Sequence, residues 1–171
     1  FVSRKNQLQA IDQTNPDAVV MVGFTYHEDQ LKLILVSEYR LPLAGRELGF
    51  PAGLIDAEDY TTTQNSHDAI IRAAQREFYE ETGLDFEPQT VSPILYSSPG
   101  LTDESSVICR GMAYGEPDTG HTSESEDIRV VYLSYNDAKL LFSGKGPYAD
   151  HALSLKVWLV LQPMLESGFT V

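Results

Sequence analysis

Arg76-Glu77-Phe78-Tyr79-Glu80-Glu81-Thr82-Gly83-Leu84 is the stretch on which the reading of this chain turns. The nine residues ahead of it, His67 to Gln75, are polar at first and then rich in alanine and isoleucine, good helix material. Ser66 is placed to cap that helix, and Gly83 to end it in a left-handed turn. At 3.6 residues per turn, Glu77, Glu80 and Glu81 stand three and four positions apart, so their carboxylates leave one face near the helix C-terminus. Like charges at that spacing cost a few tenths of a kcal/mol per pair, and the C-terminal end of a helix dipole prefers cations. A divalent cation reverses the sign of each of those terms. An all-oxygen donor set suits a hard ion, Mg²⁺ or Mn²⁺, over zinc. The plain alternative is a solvated acidic helix end with Arg76 as a local partner.

The neighbourhood favours the cation. R-E-x-x-E-E-x-G fixes Arg76, Glu77, Glu80, Glu81 and Gly83; at roughly 5–7% usage per residue type, five fixed positions recur by chance about once in a million windows. Upstream, Pro51-Ala52-Gly53-Leu54-Ile55-Asp56 reads as a turn that ends a strand and leaves backbone carbonyls free to face the same ion. Together these segments resemble the box of the Nudix hydrolases, G-x5-E-x7-R-E-U-x-E-E-x-G-U, where U is a bulky apolar residue. The resemblance implies Glu77 and Glu81 as principal metal ligands, Glu80 as a third with a catalytic part, and the carbonyl of Ala52 closing the shell. It implies that Arg76 orients the glutamates by a salt bridge. Gly53 to Arg76 is 23 positions where the pattern needs 14, so nine residues are inserted. The polar, Thr-rich run Glu58 to Asn65 reads as an enlarged loop before the helix, which is thermodynamically cheap. Counting back from Arg76 puts the pattern's first glutamate on Asp68, with Glu58 as the competing candidate.

A chain of 171 residues with 42% hydrophobic and 22% charged residues is long enough for one core, and a single domain over 1–171 is expected. Residues 1–16 read as an irregular N-terminal segment; the chain opens on Phe1, which leaves room for trimmed residues ahead of it. A net charge of −13 offers no basic stripe for a nucleic acid duplex. A small phosphate substrate needs only one or two arginines and a metal. The lone Cys109, between Ile108 and Arg110, reads as core filler and suits a reducing cytoplasm. No apolar run approaches a membrane span.

Asp17–Tyr26 and Leu31–Tyr39 read as a β-hairpin with His27 in a solvated connection. Further apolar runs lie at Thr90–Ser97, Ser106–Tyr114 and Ile128–Leu133. Asn136–Phe142 is a short helix candidate. Asp150 is placed to cap a long helix from about His151 to Leu165, with Leu153, Val157, Trp158, Leu161 and Leu165 on its buried side. His67 and His151 are expected at the surface. Strands with one helix in the middle and one at the end fit a mixed sheet covered on both faces. The family resemblance implies the same fold class, a Nudix-type α/β/α sandwich around a mixed central sheet.

Three segments outside the box resemble the ADP-ribose pyrophosphatase subfamily: Pro99 in S-P-G-L-T-D-E, Tyr39-Arg40-Leu41-Pro42, and the acidic run Ser123 to Val130. They imply Mg²⁺-dependent hydrolysis of ADP-ribose to AMP and ribose 5-phosphate, with Mn²⁺ a possible substitute. Glu124, or Glu126 as second choice, is then the proton acceptor. Arg40 and Arg46 hold the phosphates, Pro99 marks the substrate side, and Tyr39 or Phe50 stacks on adenine. A homodimer is implied as well. Another nucleoside diphosphate sugar, such as ADP-glucose or GDP-mannose, is the alternative substrate. A non-catalytic ADP-ribose sensor fits less well, because the glutamates are intact.

Overall fold

The computed structural model describes residues 3, 14–61, 65–117 and 127–169. Ala18–His27 (β1) and Gln30–Arg40 (β2) form the expected hairpin. Its connection is tighter than the letters suggest. Glu28 and Asp29 both take positive φ (52° and 57°), the two-residue turn whose twist matches paired strands. His27 is therefore the last residue of β1, and its ring stacks on Tyr132 at 4.5 Å.

Gly45–Gly49 (β3) pairs with β2, and Ala52–Leu54 (β4) pairs with β1. Two helices follow, Ala57–Thr61 (α1) and Ser66–Thr82 (α2). The second is capped by Asn65, whose side chain accepts from the Asp68 N–H, so the cap sits one residue ahead of Ser66. Gly83 ends the helix at φ 72°, as the sequence predicts. The chain then enters Asp85–Val91 (β5), Leu95–Tyr96 (β6), Ser105–Tyr114 (β7) and Ile128–Leu133 (β8). Tyr135–Phe142 (α3) carries a capping box from Ser134 and Asp137.

The last helix differs from its expectation. Ala152–Leu153 (β9) joins β3 in parallel, and Leu155–Ser167 (α4) begins only after it. The Ser154 N–H is taken by the Leu48 carbonyl rather than by a helical turn. In α4 the buried residues are Val157, Leu161 and Met164; Trp158 is exposed and stacks on Phe142 at 4.3 Å.

The strands make one sheet with β5-β7-β1-β2-β3-β9 along its main path and β4, β6 and β8 beside it. The β1–β7 and β3–β9 pairs are parallel and the others antiparallel, so the sheet is mixed. Alternation along β1 sends Val20, Val22 and Phe24 into a core under α3 and α4, and Val19 and Met21 into a second core under α2. The architecture is an α/β/α sandwich. Cys109 lies in the α2 core, where burial pushes its thiol up to about 12; it is filler, as expected.

Candidate active site

The acidic string sits where α2 faces the outer edge of β4. Arg76 is its hub. Nη1 donates to Glu77 Oε1 at 2.8 Å and to Glu80 Oε2 at 3.5 Å. Nη2 donates to the Leu54 carbonyl at 3.1 Å and to Asp59 Oδ2 at 3.0 Å, and lies 3.3 Å from Asp56 Oδ2. Burial alone would lower the pKa of this guanidinium, but the carboxylates of Asp59 and Glu77 outweigh it and hold the pKa above its ordinary value.

Glu77 is pressed against the backbone of β4. A Cβ built on Gly53 would fall 1.9 Å from Glu77 Cδ, so the glycine makes the cradle in which the carboxylate lies. Burial pushes the Glu77 pKa up, and Arg76 offsets that only in part. Ala52 and Leu54 turn their backbone polar groups away from β1 and towards α2. The Ala52 N–H is met by Glu81 Oε2 at 3.3 Å, and the Leu54 carbonyl by Arg76.

Glu77, Glu80 and Glu81 thus share one helix face, as their spacing predicts. Among the described residues no three Asp, Glu, His or Cys side chains are gathered tightly enough to cage a metal. Glu77 and Glu80 are turned onto Arg76, and Glu81 onto Ala52. The donor set still suits a hard cation, since every atom it offers is an oxygen and the Gly53 cradle holds the half-buried Glu77 beside the backbone of β4.

The sequence reading missed Asp59. It is almost fully buried in α1, accepts from Arg76, and also accepts the Asp56 N–H at 2.9 Å, which closes the first turn of α1. The signal was present. Counting G-x5-E forward from Gly53 lands on position 59, whereas counting back from Arg76 crosses the nine inserted residues and lands on Asp68. Asp68 instead stands in the first turn of α2, its N–H donating to the Asn65 cap at 2.8 Å. Glu58 is exposed on α1. The inserted run is therefore not all loop, because α1 occupies its start.

The NUDIX domain family model matches residues 14–152. The chain belongs to the Nudix family. Among solved structures, the NUDIX domain of Shewanella oneidensis NrtR, complexed with ADP ribose, superposes with a TM-score of 0.54 at 20% identity, covering 91% of this chain and 90% of that one. At that identity the likeness speaks for the fold. The ADP-ribose pyrophosphatase of Bacillus subtilis (strain 168) is 28% identical over 159 residues, 86% of this chain and 77% of its own. The methanol dehydrogenase activator of Bacillus methanolicus is 27% identical over 155 residues, 89% of this chain and 76% of its own.

Within this Nudix domain the residues expected around the substrate are dispersed. Tyr39 and Arg40 end β2, both exposed. Arg40 donates to Glu38 at 2.7 Å and to Glu47 at 3.1 Å, so it sits between two carboxylates. Pro99 lies in an exposed turn between β6 and β7, where Ser98 accepts from Leu101 at 2.8 Å. Phe50 is in the core under α4 and is withdrawn as a stacking residue. Arg46 is bound to Asp127 and to the Ser37 carbonyl. Glu124 and Glu126 lie outside the described residues. His151 is partly buried rather than at the surface, with Nε2 2.9 Å from the Ser37 hydroxyl. No helix among the described residues is long and apolar enough to cross a membrane.

Proposed function

We propose that this Nudix domain hydrolyses the diphosphate of ADP-ribose, releasing AMP and ribose 5-phosphate, with a divalent cation at the end of α2. The observation that carries the reading is the Arg76 hub, which fastens Glu77 against Gly53 and beside Glu80 while Glu81 faces Ala52. Nudix hydrolases generally use divalent metal ions. Here Glu77, Glu80 and Glu81 would hold the cation, with the Ala52 carbonyl as a backbone donor. When bound, such a cation supplies positive charge against the diphosphate and acidifies water.

The chain's own residues do the rest. Arg76 holds the helix-end carboxylates in place against their mutual repulsion. Tyr39 offers a face for the base, Arg40 a planar fork for phosphate oxygens, and Pro99 a rigid turn beside the substrate. The proton acceptor is Glu124, with Glu126 in support. The choice of ADP-ribose draws on the three segments outside the box. The named activity of the B. subtilis relative and the ligand of the NrtR domain agree with it. A different nucleoside diphosphate sugar is the second reading, favoured by α1, which is added to the family pattern and packs on α2 at the Arg76 hub. A homodimer is part of the proposal.

The test is turnover with Mg²⁺ or Mn²⁺ on ADP-ribose, ADP-glucose and GDP-mannose, alongside Glu81→Gln. We expect ADP-ribose to be preferred and the variant to lose activity at least a hundredfold. Preference for another sugar would move the reading to that substrate. Tight ADP-ribose binding without turnover would replace hydrolysis with sensing.

A further inference from the structure

We propose that Arg46 is a positioning residue, which fastens the start of β8 across β2 to β3, and not a ligand of the substrate's phosphates. Strand β2 lies between β3 and β8, with Ser37 paired to Leu48 on one side and to Arg129 on the other. Two strand spacings are about 9.6 Å. The Arg46 side chain crosses that gap. Nη2 donates to Asp127 Oδ2, and Nη1 donates to the Asp127 carbonyl at 3.3 Å and to the Ser37 carbonyl at 3.0 Å on the way. Below it the buried Ser37 hydroxyl meets His151 Nε2 at 2.9 Å, so the segment ahead of β9 joins the same knot. One guanidinium thus ties Ser37 of β2 and Asp127 ahead of β8 to β3, with His151 joined through Ser37.

Of the five donors of a guanidinium, those on Nη1 and Nη2 here meet Ser37 and Asp127. The side chain is only 19% exposed, against 50% for Arg40, which stands between two carboxylates at the surface. Of the two arginines, Arg40 is the more exposed. What Arg46 governs follows from chain order: Glu126 and Glu124 stand one and three positions ahead of Asp127. Whatever holds Asp127 holds the end of their tether, and a small misplacement of a reacting group costs large factors in rate.

The inference rests on the hydrolytic reading above, and two measurements separate the two. In steady-state kinetics on ADP-ribose with Mg²⁺, Arg46→Ala and Asp127→Ala should each lower kcat by about ten- to a hundredfold with KM within about twofold. The double variant should be no worse than either single one, as for two ends of one tether. A rise in KM for Arg46→Ala alone, with Asp127→Ala like wild type, would make Arg46 a phosphate ligand and overturn the proposal. So would a lowered melting temperature with kcat unchanged. The second measurement needs no turnover: hydrogen exchange at the amides of Ile128 and Arg129 should quicken at least tenfold in Arg46→Ala, while β5 amides stay as in wild type. Unchanged exchange there sinks the tether. Absence of turnover in wild type sinks only the hydrolytic reading.

Discussion

Gly53 shows how one missing side chain can set a reaction. Its backbone is not left-handed, so the demand on it is for space: an added Cβ would meet Cδ, Oε2 and Cγ of Glu77 at 1.9, 2.1 and 2.4 Å. Those atoms are the far end of a flexible side chain, so the fold can absorb the clash by moving the carboxylate. Gly53→Ala should therefore keep its melting temperature within a few degrees while kcat/KM falls about a hundredfold. Calorimetry and steady-state kinetics on the same preparation check this; an active Gly53→Ala would show that Glu77 is not needed where it lies. Gly83 is the opposite kind of glycine, required for its φ of 72° and therefore readable from its place after a helical run. Gly53 was readable only through the family pattern, since the group it makes room for comes from 24 positions away.

Among the elements, α2 was legible because its letters carry helix propensity, a cap and a stop within one continuous run. Helix α1 was not. Its five residues have no apolar stripe, and what holds it is the long-range pairing of the buried Asp59 with Arg76. Asp59→Ala removes the acceptor of both Arg76 and the Asp56 N–H, and should cost about 2–4 kcal/mol in urea unfolding. Activity should fall with it, because Glu77 and Glu80 share that guanidinium. The displaced start of α4 has a similar origin. Two residues of parallel pairing, β9 on β3, leave no periodicity to read. They also bring His151 beneath Arg46, and burial first, then the charge of Arg46, hold its imidazole pKa below the ordinary value; Arg129 acts the same way, while Asp150 opposes them. The folded chain then binds this proton less readily than the unfolded one. Stability is full at neutral pH and falls as pH drops through about 6.5 towards the folded value, levelling below it. His151→Gln should flatten that part of a melting temperature against pH curve. An unchanged slope would assign the titration elsewhere.

At the scale of the molecule, two cores lie on opposite faces of one mixed sheet, and α2 ends at its β4 edge with Glu77 and Glu81 turned onto the β4 backbone. The sandwich was legible because the long strands β1, β2 and β7 are apolar runs bounded by polar turns and α2 is a continuous helical run between them. The placing of the substrate residues was not, because Tyr39 and Arg40 end β2 while Pro99 lies in the turn between β6 and β7. The chain also carries a net charge of −13, so any salt relieves some repulsion and a cation effect must be separated from screening. A bound divalent ion stabilises by mass action, about 2.7 kcal/mol when it is present at a hundred times its dissociation constant. For a domain of this length that corresponds to a rise of roughly 5–10 °C. Mg²⁺ should therefore raise the melting temperature well beyond NaCl of matched ionic strength, and EDTA should reverse the gain. In Glu77→Gln combined with Glu81→Gln the two salts should act alike, even if that variant starts from a different baseline. If Mg²⁺ and NaCl act alike on the wild-type chain, the end of α2 is an ordinary acidic surface and the hydrolytic reading loses its metal.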